Sequence, residues 1–343
     1  MKFLILAFLL ATCVGANSVA VAQKVTSWSW PQRFDKVWVS DNGARVVTEY
    51  SPFADEDAPP IQIYDASSGR KLGHISRARR LLSPHVEGEE TRYVTQNVSV
   101  QAISSDGRHL IVQRWPAQED DIKDFSVEAW NISQSPHIEW RKRGLECSDA
   151  RWTRGHIIVL LANELQRWSV RGKLLSRLPI AGSSDANILS PDGTRTIVNA
   201  AVSAFIDTRT GHVLQTLKLP YPDQPVSWII GPKNLFIWGH SLTPDEGFAP
   251  WDNYALWRLR DGKRYNFSLQ NIVFSPDGSA FWDIRARRFR SIATGIIAPI
   301  RVPKAFAQNE AFLQAISGDG RVWAGQNRQG QIFWTVEKAA PAS

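Results

Sequence analysis

The stretch Ile188-Leu189-Ser190-Pro191-Asp192-Gly193-Thr194-Arg195-Thr196-Ile197-Val198 sets two short apolar runs on either side of a Ser-Pro-Asp-Gly turn. Asp-Gly between such runs is a strong hairpin signal, because glycine takes positive φ without steric cost. Four variants of this turn recur: Ser40-Asp41-Asn42-Gly43, Ser104-Ser105-Asp106-Gly107, Ser275-Pro276-Asp277-Gly278 and Ser317-Gly318-Asp319-Gly320. From serine to serine, 104 to 190 is 86 residues, 190 to 275 is 85 and 275 to 317 is 42. The first two intervals are each twice the third, so each predicts a concealed copy. The first copy is Asp149-Ala150-Arg151-Trp152-Thr153-Arg154-Gly155, followed by Ile157 to Leu161. The second is Val226 to Ile230, then Gly231-Pro232-Lys233-Asn234, then Leu235 to Trp238. The interval from 40 to 104 holds one unit with insertions, which makes seven units in all.

Each unit continues alike. After the turn and a second strand comes a third strand ending in an aromatic residue or Asp, then a glycine turn and a fourth strand. Ile61 to Asp65 precedes Gly69, Leu165 to Trp168 precedes Gly172, Ala204 to Asp207 precedes Gly211, and Tyr254 to Trp257 precedes Gly262. A period of about 40–45 residues carrying four short strands is the signature of a propeller blade. The composition agrees: 15 Trp and 15 Phe against one Met favour pleated, half-buried surfaces. The expected fold is all-β, a seven-bladed β-propeller of four-stranded antiparallel blades. Val25 to Trp30 is expected to add the outer strand that the last unit lacks, closing that blade and covering an open edge.

The repeated Ser-Pro-Asp-Gly turn and the Trp/Asp position before a glycine turn resemble those of WD-repeat propellers over nearly the whole chain beyond the leader. Trp130, Trp168, Trp257 and Trp334 hold the Trp position without the following Asp, while Asp65 and Asp207 hold the Asp position without the preceding Trp. The family's Gly-His pair is out of register. Exported bacterial propellers with the same turn are an equally good comparison. The resemblance implies the fold and no particular partner.

The N-terminus reads as a signal peptide. Lys2 precedes a short apolar stretch, Phe3 to Val14, and Ala20-Val21-Ala22 offers a cleavage site. The expected layout is therefore a leader over 1–22, one propeller domain over 23–338 and a short tail over 339–343, with a periplasmic or secreted destination. Leu10-Ala11-Thr12-Cys13 resembles a lipobox, with Thr a poor fit before the cysteine. No other segment is apolar enough over a sufficient length to span a bilayer. The excess of positive charge, +7 over 343 residues, fits an acidic partner or an anionic envelope surface. It is too diffuse for nucleic-acid recognition. Cleavage after Ala22 leaves Cys147 alone, without an internal disulfide partner.

The long insertions 51–60, 115–123, 241–253 and 76–97 follow second or fourth strands, so all four emerge at one end of their sheets. Long loops on a rigid scaffold are where function tends to sit. The candidate recognition residues are Asp55, Glu56, Asp57, Arg77, Arg79, Arg80, Phe248 and Trp251, with Arg285 and Arg287 flanking a tight turn on the same side. Gln101, Asn187 and Gln314 lie three residues before a turn serine on the first strand and are candidates to line a central channel.

The seven histidines show no zinc spacing, and neither a G-x-S-x-G elbow nor a phosphate loop occurs. No cofactor, metal or catalytic residue is indicated. The expected role is a binding or scaffold module of the cell envelope, acting on a protein partner through loops on one face. The alternative is a lactonase- or quinoprotein-like propeller enzyme with its site at the channel mouth, which would need carboxylates and amides converging there.

Overall fold

The computed structural model describes residues 24–27, 34–50, 59–77, 79–81, 93–116, 125–180, 188–198, 203–217, 226–234, 236–241, 254–261, 263–265, 272–308, 311–327 and 332–337. They form an all-β chain of antiparallel sheets taken in sequence order. The first sheet holds β2 (Phe34–Val39), β3 (Arg45–Tyr50), β4 (Ile61–Asp65) and β5 (Lys71–Ile75). The second holds β7 (Tyr93–Ile103), β8 (His109–Pro116), β9 (Ser126–Asn131) and β10 (His137–Arg143), with β6 (Arg79–Leu81) added against β7. The third is β11 (Asp149–Thr153) to β14 (Leu174–Pro179), through β12 (His156–Leu160) and β13 (Glu164–Ser169). The fourth is β15 (Ile188–Leu189), β16 (Arg195–Val198), β17 (Ser203–Asp207) and β18 (Val213–Leu217). The fifth is β19 (Val226–Ile230), β20 (Phe236–Ser241), β21 (Tyr254–Arg258) and β22 (Arg264–Tyr265). A sixth pair, β23 (Ala280–Asp283) and β24 (Arg288–Ser291), precedes a short helix α1 (Lys304–Ala307). The last sheet combines β25 (Ala311–Ile316), β26 (Val322–Asn327) and β27 (Ile332–Val336) with β1 (Lys24–Ser27).

The Ser-x-Asp-Gly segments explain why the hairpins form. In the fourth sheet the Ser190 hydroxyl donates to Asp192 Oδ1 at 2.6 Å and accepts from the amide of Arg195 at 3.0 Å. Asp192 Oδ1 also accepts from the amide of Thr194, and the Gly193 amide donates to the Ser190 carbonyl. Gly193 sits at φ +69°, which glycine tolerates freely. The same serine contacts recur at Ser40 with Asn42, Ser104 with Asp106, Ser275 with Asp277 and Ser317 with Asp319. All five serines are buried, so each hydroxyl satisfies amides that water cannot reach.

The turn glycines also pack against the turn of the preceding sheet. A Cβ on Gly107 would lie 2.9 Å from Ser40 Oγ, and one on Gly193 would lie 2.7 Å from Thr153 Cγ2. A Cβ on Gly43, in the first sheet, would lie 2.7 Å from Val322 Cγ2 of the last.

Middle strands are apolar on both faces, and alternate residues serve different neighbours. Val47 packs with Val98, Val100 and Leu110 of the second sheet, while the adjacent Val46 packs with Val322, Ala324 and Trp334 of the last. Ile157 joins Ile111 and Ala129 of the second sheet, and Ile158 joins Leu189, Val198 and Ile206 of the fourth. Ile197 and Phe205 meet Ile230 and Trp257 of the fifth sheet, and Leu256 meets Phe274 and Phe281 of the sixth unit. Trp282 and Phe289 meet Leu313, Trp323 and Phe333 of the last. Each valine, leucine, isoleucine or phenylalanine among them, fully buried, stabilises the fold by about 1.5–3 kcal/mol.

Three details differ from the sequence expectation. The sixth unit is a two-stranded sheet extended only by single bridges, Phe274 to Phe281 and Arg290 to Ile297. Its fourth strand meets Pro299, which has no amide to continue a ladder. The second sheet gains a fifth strand, because Arg79–Leu81 pairs with Tyr93–Thr95 inside the segment 76–97 expected to be a long connection. Asp149–Thr153 is a strand rather than a turn, and the hairpin turns on Arg154-Gly155 alone, with Gly155 at φ +87°. The outer strand expected for the last unit is present: Lys24–Ser27 pairs with Phe333–Val336.

Candidate functional site

Gln101 on β7 and Gln314 on β25 lie three residues before a turn serine, on the first strands of the second and last sheets. Gln101 and Gln314 are both bulge residues. In β7 the register passes from Val100 opposite Val112 to Ala102 opposite Ile111, and in β25 from Leu313 opposite Gly325 to Ala315 opposite Ala324. A bulged residue has no ladder partner and is re-aimed relative to its neighbours. Gln314 Oε1 is buried without a hydrogen-bond partner among the described residues. The Gln101 carbonyl instead accepts from Arg151 Nη1 at 3.1 Å.

Arg151 is the centre of a junction that sequence reasoning missed. On β11, Asp149 and Arg151 are two residues apart and so share a face. Arg151 Nη1 donates to Asp149 Oδ1, and Arg151 Nη2 reaches the Leu189 carbonyl at 3.4 Å. Asp149 Oδ2 accepts from the Leu189 amide at 2.8 Å, and its Oδ1 accepts from the Ala150 amide. One ion pair thus fastens the first strands of the second, third and fourth sheets. Burial pushes the Asp149 carboxyl up, and the Arg151 guanidinium and the two amides oppose this. Cys147, buried beside it, donates to the Asp149 carbonyl, and burial pushes its thiol well above the ordinary range. Such a thiol is a small apolar residue rather than a nucleophile.

A second buried carboxylate serves the same purpose between the first two sheets. Glu49 accepts from the Ser99 hydroxyl at 2.6 Å and from the Val100 amide at 3.2 Å. Asp149, Arg151 and Ser99 of the first strands and Glu49 of β3 are thus spent on contacts between sheets, while Gln314 Oε1 is not. Among the described residues, no group of three or more His, Cys, Asp or Glu side chains is placed to hold a metal ion.

The other candidate area is the opposite end of the sheets from the Ser-x-Asp-Gly turns. Connections after first and third strands are short, none longer than the five residues 40–44 between β2 and β3. Long connections all follow second or fourth strands, as between β3 and β4, β8 and β9, and β20 and β21. Arg77 is half-buried just beyond β5, and Arg79 and Arg80 lie in β6. The side chains of Arg79 and Arg80 lie outside the described residues, as do Asp55, Glu56, Asp57, Phe248, Trp251 and Asn187 altogether. Arg285 is exposed and Arg287 half-buried in the turn between β23 and β24. No helix among the described residues is long and apolar enough to cross a membrane. No model of a known protein family matches the sequence, and no curated protein matches it.

Proposed function

We propose that this chain is an exported seven-bladed β-propeller that binds a protein partner of the cell envelope through the ends of its sheets where the long connections emerge. Seven successive apolar contacts support the ring, since they run from each sheet to the next and from the last to the first. Gly43 pressed against Val322 supports the same closure. The leader-like N-terminus supports export.

The observation that carries the functional reading is the asymmetry between the two ends of the sheets. One end is closed by short turns whose polar atoms bond within the turn or to the neighbouring turn. The other end bears every long connection, which is how a rigid scaffold presents a recognition surface. The buried polar groups favour a binding module over an enzyme, because Asp149, Arg151 and Ser99 on first strands and Glu49 on β3 are committed to inter-sheet contacts.

The test is capture of envelope proteins by the mature chain, with and without residues 242–253. We expect deletion to remove at least one specific partner while the melting temperature stays within a few degrees. A deletion variant that is folded and keeps every partner overturns the reading.

A further inference from the structure

We propose that a basic corner of the sixth unit, made of Ile284, Arg285, Arg287 and Arg288 with Arg301 and Lys304, docks an acidic segment of a partner protein. This rests on the binding-module reading and names the chemistry of its partner. The turn between β23 and β24 is held firmly from inside. Asp283 Oδ1 accepts from the amides of Arg285 and Ala286, both at 3.0 Å, and the Arg287 amide donates to the Asp283 carbonyl at 2.6 Å. Asp283 Oδ2 is taken by Arg290, at 3.0 Å from Nε and 2.7 Å from Nη2. The one acid between residues 283 and 304 is thus turned inward and neutralised.

The outward side is positive with an apolar tip. Ile284 is 50% exposed, and Arg285 and Arg288 are exposed beside it. Arg287 holds φ +53°, a left-handed conformation disfavoured for any residue with a Cβ. An arginine where glycine would be unstrained is the kind of outlier that accumulates at functional sites.

The chain then returns alongside β24. The Ala298 amide donates to the Phe289 carbonyl at 2.7 Å, so the fourth strand leaves the unit at the level of Arg288. Ile300 and Val302 pack on the core and leave Arg301 exposed between them. Phe306, fully buried against Phe289, Trp323 and Phe333, pins α1 and with it Lys304. Among the described residues, Arg285, Arg288, Arg301 and Lys304 have no acidic partner. Charge of one sign on a rigid frame steers an oppositely charged partner and sets its register. In the turn between β23 and β24 Ile284 supplies one apolar anchor, with Ile296 and Ile297 exposed elsewhere on the unit, and one anchor beside several cations suits a protein segment better than the broad contact a bilayer needs.

The experiment is fluorescence anisotropy of a labelled deca-glutamate peptide with the mature chain at low and high salt. The wild type is expected to bind at low salt and to lose affinity as salt rises. The Arg285→Glu/Arg288→Glu/Arg301→Glu variant is expected to bind at least about tenfold more weakly. The control Arg171→Glu/Arg209→Glu, at the other end of the sheets, should change binding less than about twofold. Should the triple reversal misfold, Arg285→Gln/Arg301→Gln replaces it, with a loss of several-fold expected. No binding at low salt, equal losses in the control, or binding to phosphatidylglycerol vesicles in place of the peptide overturns the proposal. If envelope capture depends on 242–253 while the reversal leaves both peptide and partners bound, the binding-module reading stands and this corner does not.

Discussion

The Trp334 indole N–H donates to the Ala66 carbonyl at 2.8 Å, joining the third strand of the last sheet to the end of the third strand of the first. Trp334 is also fully buried against Tyr64, ring centroid to ring centroid 5.4 Å. Two losses can therefore be separated. Trp334→Phe keeps most of the apolar contact and orphans a buried carbonyl, which should cost about 1–3 kcal/mol. Trp334→Ala should cost about 3–5 kcal/mol. Urea denaturation of both variants measures the difference, and a Trp334→Phe chain as stable as wild type would show that the hydrogen bond contributes nothing.

Two turn glycines divide backbone strain from steric contact. Gly155 has φ +87° with nothing within 4 Å of a Cβ, whereas Gly193 has φ +69° and a Cβ would lie 2.7 Å from Thr153 Cγ2. Gly155→Ala should therefore cost only the left-handed penalty, about 1–2 kcal/mol. Gly193→Ala should cost more, by about 1–3 kcal/mol of overpacking. Thermal melts of the two variants rank them, and the reverse order would refute close packing between neighbouring turns.

Glu49 makes a prediction about pH. Burial holds its carboxyl above the usual carboxylate value, with the Ser99 hydroxyl, the Lys36 charge and the Val100 amide opposing. The folded state thus binds this proton more tightly than the unfolded chain does. The stability it contributes is fully present below the unfolded value and is lost as pH rises through the folded value. Glu49→Gln removes the charge that burial penalises. It should flatten this part of the pH profile and leave the variant at least as stable as wild type at pH 7. Denaturation midpoints from pH 4 to 8 check this, and a variant that loses stability mainly at pH 7 would mean that the carboxylate is net stabilising.

How much of this was legible in the sequence follows from the range of the interactions. Ser190, Asp192 and Gly193 act on atoms within five residues, so their roles could be read from the residues alone, and the hairpins with them. Arg154-Gly155 makes its hairpin without the serine and aspartate, so the strand before it passed for the turn. Gln101 was singled out by position, but its partner Arg151 lies 50 residues away, and Leu189 a further 38, beyond any local pattern. The basic corner of the sixth unit was half visible as Arg285 and Arg287. Arg301 and Lys304 join it only because the Ala298–Phe289 bond brings the chain back.

Glu128 offers the sharpest test of whether buried charge serves stability here. Its side chain is fully buried and takes Arg114 Nε at 3.0 Å, Arg141 Nε at 2.6 Å and Trp130 Nε1 at 2.8 Å. Arg114 is itself buried and donates onward to the Ser76 carbonyl at 2.9 Å, whereas the Arg141 side chain is 38% exposed. Removing Arg114 leaves the carboxylate with one half-solvated cation, Arg141, and the neutral Trp130 N–H in a site water does not reach. Arg114→Met should therefore destabilise by about 3–5 kcal/mol, the usual cost of an uncompensated buried charge. Removing both charges carries no such penalty, because methionines of similar length refill the space and Arg141 can turn to solvent. The Arg114→Met/Glu128→Met chain should recover most of the loss in urea denaturation. If the double variant is no more stable than Arg114→Met alone, the attraction within this cluster outweighs its desolvation, and the ion pair is a net source of stability.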